Sequence, residues 1–215
     1  MRNRSALLAP ASAASLAVTQ AELDALEASI PLTYVALQDQ AFRGQLLAAG
    51  EGTLPRSLHL GEAGTGTGAL RLSYWTARRT ETCNQIRTNT SSTGAAATPT
   101  LCRMGIYSVD GSGNLTLLAA CANDTTLWAT PSTVYTRNLT SAFSKVGGQR
   151  YAAAALVVTG ATAPTLQGAS SFGVGVLDAA PRIAGQVAGQ TDLPASIAIG
   201  SISASVGFHY VEVLP

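Results

Sequence analysis

The chain has 215 residues, of which 47% are hydrophobic and only 12% charged, with a net charge of +1. That length fits one well-buried domain of roughly 100–200 residues plus an appendage. The near-neutral balance leaves no electrostatic footprint for nucleic acid, so a basic face would have to come from local clustering, and no nucleic-acid partner is expected. No run reaches the ~18 apolar residues of a membrane-spanning helix, so no membrane insertion is expected.

Residues 1–15 have a basic start, an apolar run and small residues, a superficial match to a secretory signal. Pro10 interrupts the run, and we expect an ordered N-terminal arm. Val18–Ile30 reads as a helix. Thr19 is its N-cap, and Glu22 completes a capping box. Leu23, Leu26 and Ile30 recur at i, i+3 and i+7 and form one apolar stripe. Pro31 stops or kinks this helix. The segment from Pro31 to Leu47 continues it or not, with Thr33-Tyr34-Val35 weighing against. So short a stripe cannot stand alone in water. It packs either on the rest of the chain or on copies of itself, and Leu23, Leu26 and Ile30 are then the expected oligomer interface. We therefore divide the chain into 1–55, for attachment and oligomerisation, and 56–215, a β-domain.

From Arg56 the apolar period changes from 3.6 to 2. Strands are expected at Ser57–Leu60, Ala69–Thr76, Glu81–Thr90, either side of Asp110–Asn114, and at Thr133–Leu139, Gln149–Thr159, Ala163–Gly168, Ser171–Leu177 and Val206–Val213. Gly61–Gly68 reads as a Gly-rich turn. It lacks the GK[ST] ending of a phosphate loop, and a strand follows it. In the central hairpin, Cys102, Met104 and Ile106 share one face, with Arg103, Gly105 and Tyr107 opposite. Leu115, Leu117, Ala119 and Cys121 are expected on one face of the return strand. Asp110-Gly111-Ser112-Gly113-Asn114 supplies the positive φ angles of a tight turn. Tyr151-Ala-Ala-Ala-Ala-Leu-Val-Val158 is apolar on both parities, as in a central strand covered on both sides. Asp178–Gly200 reads as a long loop or an arm reaching to a neighbour. Together these predict a mainly β fold, a jelly-roll-like β-sandwich with a short α-helical N-terminal segment.

The residues carry little chemistry. Cys83, Cys102 and Cys121 recur every nineteen residues. An odd count argues against a disulfide framework, and no Cys/His spacing suggests zinc. We expect buried core thiols on successive strands of a meander. His59 and His209 are the two histidines, and Asp110, Asp124, Asp178 and Asp192 are scattered among loops. No nucleophile elbow, HExxH or EF-hand pattern occurs. We assign no catalytic residue, no metal ligand and no cofactor. Trp75 and Trp128, assisted by Tyr107 or Tyr135, are the candidates for surface recognition by stacking on sugar faces, with core packing as the alternative. Few charges guard the strand edges, which fits coverage by other subunits.

Leu70-Arg-Leu-Ser-Tyr-Trp-Thr, Glu81-Thr-Cys-Asn-Gln-Ile-Arg and Thr98-Pro-Thr-Leu-Cys-Arg-Met-Gly-Ile-Tyr-Ser-Val carry a resemblance. So do Asp124-Thr-Thr-Leu-Trp, Val146-Gly-Gly-Gln-Arg-Tyr, Gly160-Ala-Thr-Ala-Pro-Thr-Leu, Pro181-Arg-Ile-Ala-Gly and Asp192-Leu-Pro-Ala-Ser. From Leu58 to Pro215 the chain resembles the β-domain of minor tail and fibre proteins in the virions of actinobacterial, mycobacteriophage-like phages. The resemblance implies a non-enzymatic virion component assembled in the host cytoplasm. It implies a homotrimer mounted on other virion proteins, of tail or capsid, through its N-terminal segment. A host cell-surface glycan is the further partner it suggests. A capsid-mounted head fibre or decoration protein, and a carbohydrate-active or lectin-like module, are the alternatives.

Overall fold

The computed structural model describes residues 50–54, 61–95, 99–170, 179–205 and 207–215. All belong to the second of two units, Met1–Leu46 and Leu47–Pro215. The predicted helix with Leu23, Leu26 and Ile30, the arm before it, the strand candidates at 57–60 and 171–177, and His59 lie outside the described residues.

The described chain is mainly β, and its sheets are antiparallel. In order, the strands are β1 (Glu51–Gly52), β2 (Gly61–Gly64), β3 (Leu70–Thr76), β4 (Glu81–Asn89), β5 (Leu101–Val109), β6 (Leu115–Ala120) and β7 (Val134–Lys145). They continue with β8 (Arg150–Val158), β9 (Thr165–Ser170), β10 (Ala184–Val187), β11 (Ser196–Ile197), β12 (Gly207–His209) and β13 (Val211–Leu214). Three pairings are nested one inside the next: β5 with β6, β4 with β7 around them, and β3 with β8 outermost. β8 also pairs with β5, giving a six-stranded sheet in the order β10-β3-β8-β5-β6-β11. A four-stranded sheet runs β1-β13-β4-β7 and a three-stranded one β12-β9-β2. Consecutive strands β4 and β5 thus lie in different sheets, which corrects the expected meander.

Both faces of the six-stranded sheet are buried. On the inner face, Met104, Ile106, Ala153, Ala155 and Val157 share a cluster with Cys83, Ile86, Phe143, Val211 and Val213 of the four-stranded sheet. On the outer face, Leu70, Leu72, Tyr107, Ala152, Ala154 and Leu156 meet Val187, Leu193, Ile197 and Ile202. β8 is buried along nearly its whole length, as its sequence predicts. Residues 184–202, expected as a loop or an outreaching arm, instead lie back over this outer face as a strap.

Two irregularities move side chains off strict alternation. Ile106 opposes Ala119 but Tyr107 opposes Leu117, so Leu118 is unpaired. Leu115 and Leu117 therefore serve the outer cluster and Ala119 and Cys121 the inner one, where a single face was expected. A bulge of this kind inserts one residue and reverses the parity beyond it. In the β4–β7 ladder, Cys83 opposes Phe143 while Gln85 opposes Asn138. Both Cys83 and Ile86 reach the core despite their odd spacing. The same slip carries β7 to Lys145, past its predicted end at Leu139, with Phe143 and Lys145 turned inward.

Two further boundaries differ from expectation. Gly61–Gly64 is a strand, because Ala63 faces inward and backbone pairing to β9 tolerates the flanking glycines. The predicted final strand divides at Tyr210: β12 joins β9 and β13 joins β4.

Candidate functional site

Trp75 and Trp128 are core residues, which corrects their assignment as surface platforms. Trp75 is 8% exposed and its ring lies 5.5 Å from that of Tyr151. Trp128 has no exposed surface. Its backbone adopts φ of 67°, and its Nε1 donates to Thr88 Oγ1 at 2.8 Å. Indole rings offer the largest apolar area, and a buried partner for the N–H removes the cost of placing one inside. Tyr107 is also buried and donates its hydroxyl to the Pro194 carbonyl at 2.9 Å. Tyr135 is partly exposed and holds the Arg137 guanidinium 5.6 Å from its ring centre.

Several titratable side chains among the described residues are bound into the framework. Asp110 accepts the backbone N–H groups of Ser112 and Asn114 and the Asn114 side-chain amide. These bonds, the Asn114 side chain foremost, hold its carboxyl below the usual range. Gly113 follows at φ of 87°, as the tight turn requires. Asp124 pairs with Arg137 and Asp192 with Arg103, each at 2.6 Å. The three cysteines are free and buried. Burial pushes the Cys83 thiol up to about 11 and Cys102 to about 12, so both stay protonated. His209 is buried, with Nε2 3.2 Å from the Ala63 carbonyl and Nδ1 lacking a hydrogen-bond partner. Burial first, then the Arg71 charge, lowers its pKa to about 4. No group of three metal-ligating side chains occurs among the described residues.

Two arrangements were not visible in the sequence. One is a half-open cleft of about 340 Å³, walled by Tyr74, Arg150, Arg182, Ile199 and the Asp110–Gly113 turn. The Arg150 guanidinium lies 4.8 Å from the centre of the Tyr74 ring and donates to the Arg182 carbonyl. Guanidinium groups, a carboxylate and an aromatic face can hold a small hydroxylated ligand by hydrogen bonds and stacking. The turn was legible; Arg150 and Arg182 come from distant segments and carried no local signal.

The other arrangement surrounds Lys145, the single lysine of the chain. It has no exposed surface. Its Nζ donates to Glu51 Oε2 at 2.7 Å and to the Arg79 carbonyl at 3.2 Å, and lies 3.1 Å from Glu81 Oε2. The Arg78 backbone N–H donates to Glu51 Oε1 at 3.0 Å. The one available signal was parity, since Lys145 falls on the inward side of its strand with Phe143.

Neither a protein-family model nor a curated protein matches the chain.

Proposed function

We propose that the chain is a structural component of a phage virion, a minor tail or tail-fibre protein. The observation that carries this reading is where the resemblance residues fall. Trp75, Cys83, Cys102, Met104, Trp128, Tyr151 and Leu166 belong to one core cluster. The shared pattern words therefore encode a framework, as suits a protein whose task is to be a building block. The same reading takes the described fold as a jelly-roll-like sandwich. In support, β3-β8-β5-β6 and the β4-β7 pair follow the nested strand order of a rolled-up hairpin. The β-domain turns over no external substrate in this reading. The segment before β1 supplies attachment to other virion proteins and, through Leu23, Leu26 and Ile30, a homotrimer. Contact with a host-surface glycan is assigned to the cleft beside Tyr74 and Arg150, since both tryptophans are buried.

Imaging intact particles that carry a label after Pro215 tests the reading. Density at the tail tip or along a fibre is expected. Density on the capsid would replace it with a head fibre or decoration protein, and unlabelled particles would reject a virion role. Mass photometry of the purified chain should give three copies; a monomer in solution and on particles would end the trimer proposal.

A further inference from the structure

A lone lysine is ordinarily a surface residue, because a buried ammonium forfeits its hydration. Apolar replacement of a buried ion pair is often neutral or stabilising, so stability alone gives no reason to place one here. What the site supplies is reactive geometry. Lys145 ends β7, Glu51 lies in β1 and Glu81 opens β4. Their side chains are 0%, 5% and 21% exposed. Nζ is 2.7 Å from one oxygen of Glu51, and the Arg78 N–H holds the other at 3.0 Å. Glu81, 3.1 Å from Nζ, is kept anionic by the Arg79 side chain, which donates to both its oxygens.

We propose that the folded chain joins Lys145 Nζ to Glu51 Cδ as an intramolecular amide. A proton passes along the short hydrogen bond from the ammonium to Glu51 Oε2, leaving a neutral amine and a neutral acid. The amine lone pair attacks Cδ, and the Arg78 N–H stabilises the charge that develops on Oε1. Glu81 takes a second proton from Nζ and delivers it to Oε2. The Cδ–Oε2 bond breaks and one water leaves. The ammonium and carboxylate become an amide plus water, with no change of net charge and no oxidant or reductant. Fixed contact makes the condensation unimolecular, and burial keeps the water needed for reversal away. The product ties β1 to β7 covalently. This chemistry stands independently of the virion reading.

Intact mass spectrometry of the denatured full-length chain decides. The wild type is expected to be lighter than its sequence by one water. Tryptic digestion is expected to yield a branched peptide holding Glu51 and Lys145. Lys145→Met and Glu81→Gln are expected at their full sequence masses, the latter with a native near-ultraviolet circular dichroism spectrum. Glu81→Gln keeps the lysine and its partner and removes only the base. A wild type at full mass after prolonged incubation overturns the proposal. So does a water loss that persists in Lys145→Met, which would place the dehydration elsewhere, for example at Asp110-Gly111.

Discussion

The inner face of the six-stranded sheet is sealed by a second sheet, its outer face by a single strap. Trp75, Trp128, Phe143 and Tyr151 all serve the inner core. The strap instead covers its face with a few aliphatic side chains. β10 and β11 fasten its ends to β3 and β6. Between them, Tyr107 donates to the Pro194 carbonyl and the Leu117 N–H to Ala195, both at 2.9 Å. Leu193 settles over Gly105, where an added Cβ would stand 2.8 Å from Leu193 Cδ1. The inner seal is built on a long ladder of β4 with β7, extended by β13 on β4. The outer seal rests on two short ladders and a few single contacts, so it is the part expected to open locally below the global unfolding energy.

The largest expected effect is on the inner face. Trp128→Ala removes a fully buried indole together with the hydrogen bond it donates to Thr88, and should cost about 3–5 kcal/mol in urea unfolding. Loss should be cooperative across the whole domain. A cost below about 1 kcal/mol would show that the inner core does not hold the two sheets together. His209 gives the next effect, on the inner side, where its N–H meets Ser73 of β3. Its folded pKa of about 4 lies below the ordinary histidine value of 6.5. The unfolded chain therefore binds the extra proton first, and stability falls as pH drops from about 6.5 to about 4. The loss should approach about 3 kcal/mol at the acid end. His209→Gln keeps a donor for the Ala63 carbonyl and cannot titrate, so the histidine part of that fall should disappear, leaving only the shallower loss from carboxylates such as Asp110 near the acid end. A wild-type curve no steeper than the variant's would place the ring in contact with water.

This contrast also governs what could be read from sequence. β8 was legible because small apolar residues on both parities leave a strand nowhere to lie but between two layers. The Asp110–Asn114 turn was legible because its bonds are local. The nested pairing was not: β3 and β8 are partners across most of the domain, and a period-2 pattern names no partner. Bulges at Leu118 and in the β4–β7 ladder then reversed parity where strict alternation was assumed. The strap was illegible for a different reason. Its Pro, Gly and Ala content signals a loop, and its anchors fit a surface already built by other strands. The cleft and the Lys145 site share that difficulty, since each gathers residues that only the finished topology brings together.

On the outer face, Leu193→Ala should cost about 2–3 kcal/mol, at the low end of buried leucine truncations because a strap can settle into the space. Hydrogen exchange in 184–202 should accelerate while that of β8 holds. Gly105→Ala should cost about 1–2 kcal/mol by displacing the same side chain. In the double variant the new methyl fills part of the hole, so the combined cost should fall below the sum by at least about 0.5 kcal/mol. Strict additivity would mean that Leu193 and Gly105 do not form one anchor.

The smallest effect belongs to the strap's ion pair. Asp192 lies 2.6 Å from Arg103, but its side chain is 57% exposed and that of Arg103 20%. Water screens such a pair, whose usual worth is about 0–1 kcal/mol. Asp192 Oδ1 also accepts the Leu193 N–H at 2.7 Å, a bond that an asparagine oxygen can keep. Asp192→Asn should therefore cost less than about 0.5 kcal/mol, and that small cost should vanish in high salt. A loss as large as that of Leu193→Ala would reverse the ranking of the strap's anchors, making charge rather than the leucine knob the element that holds it to the sheet.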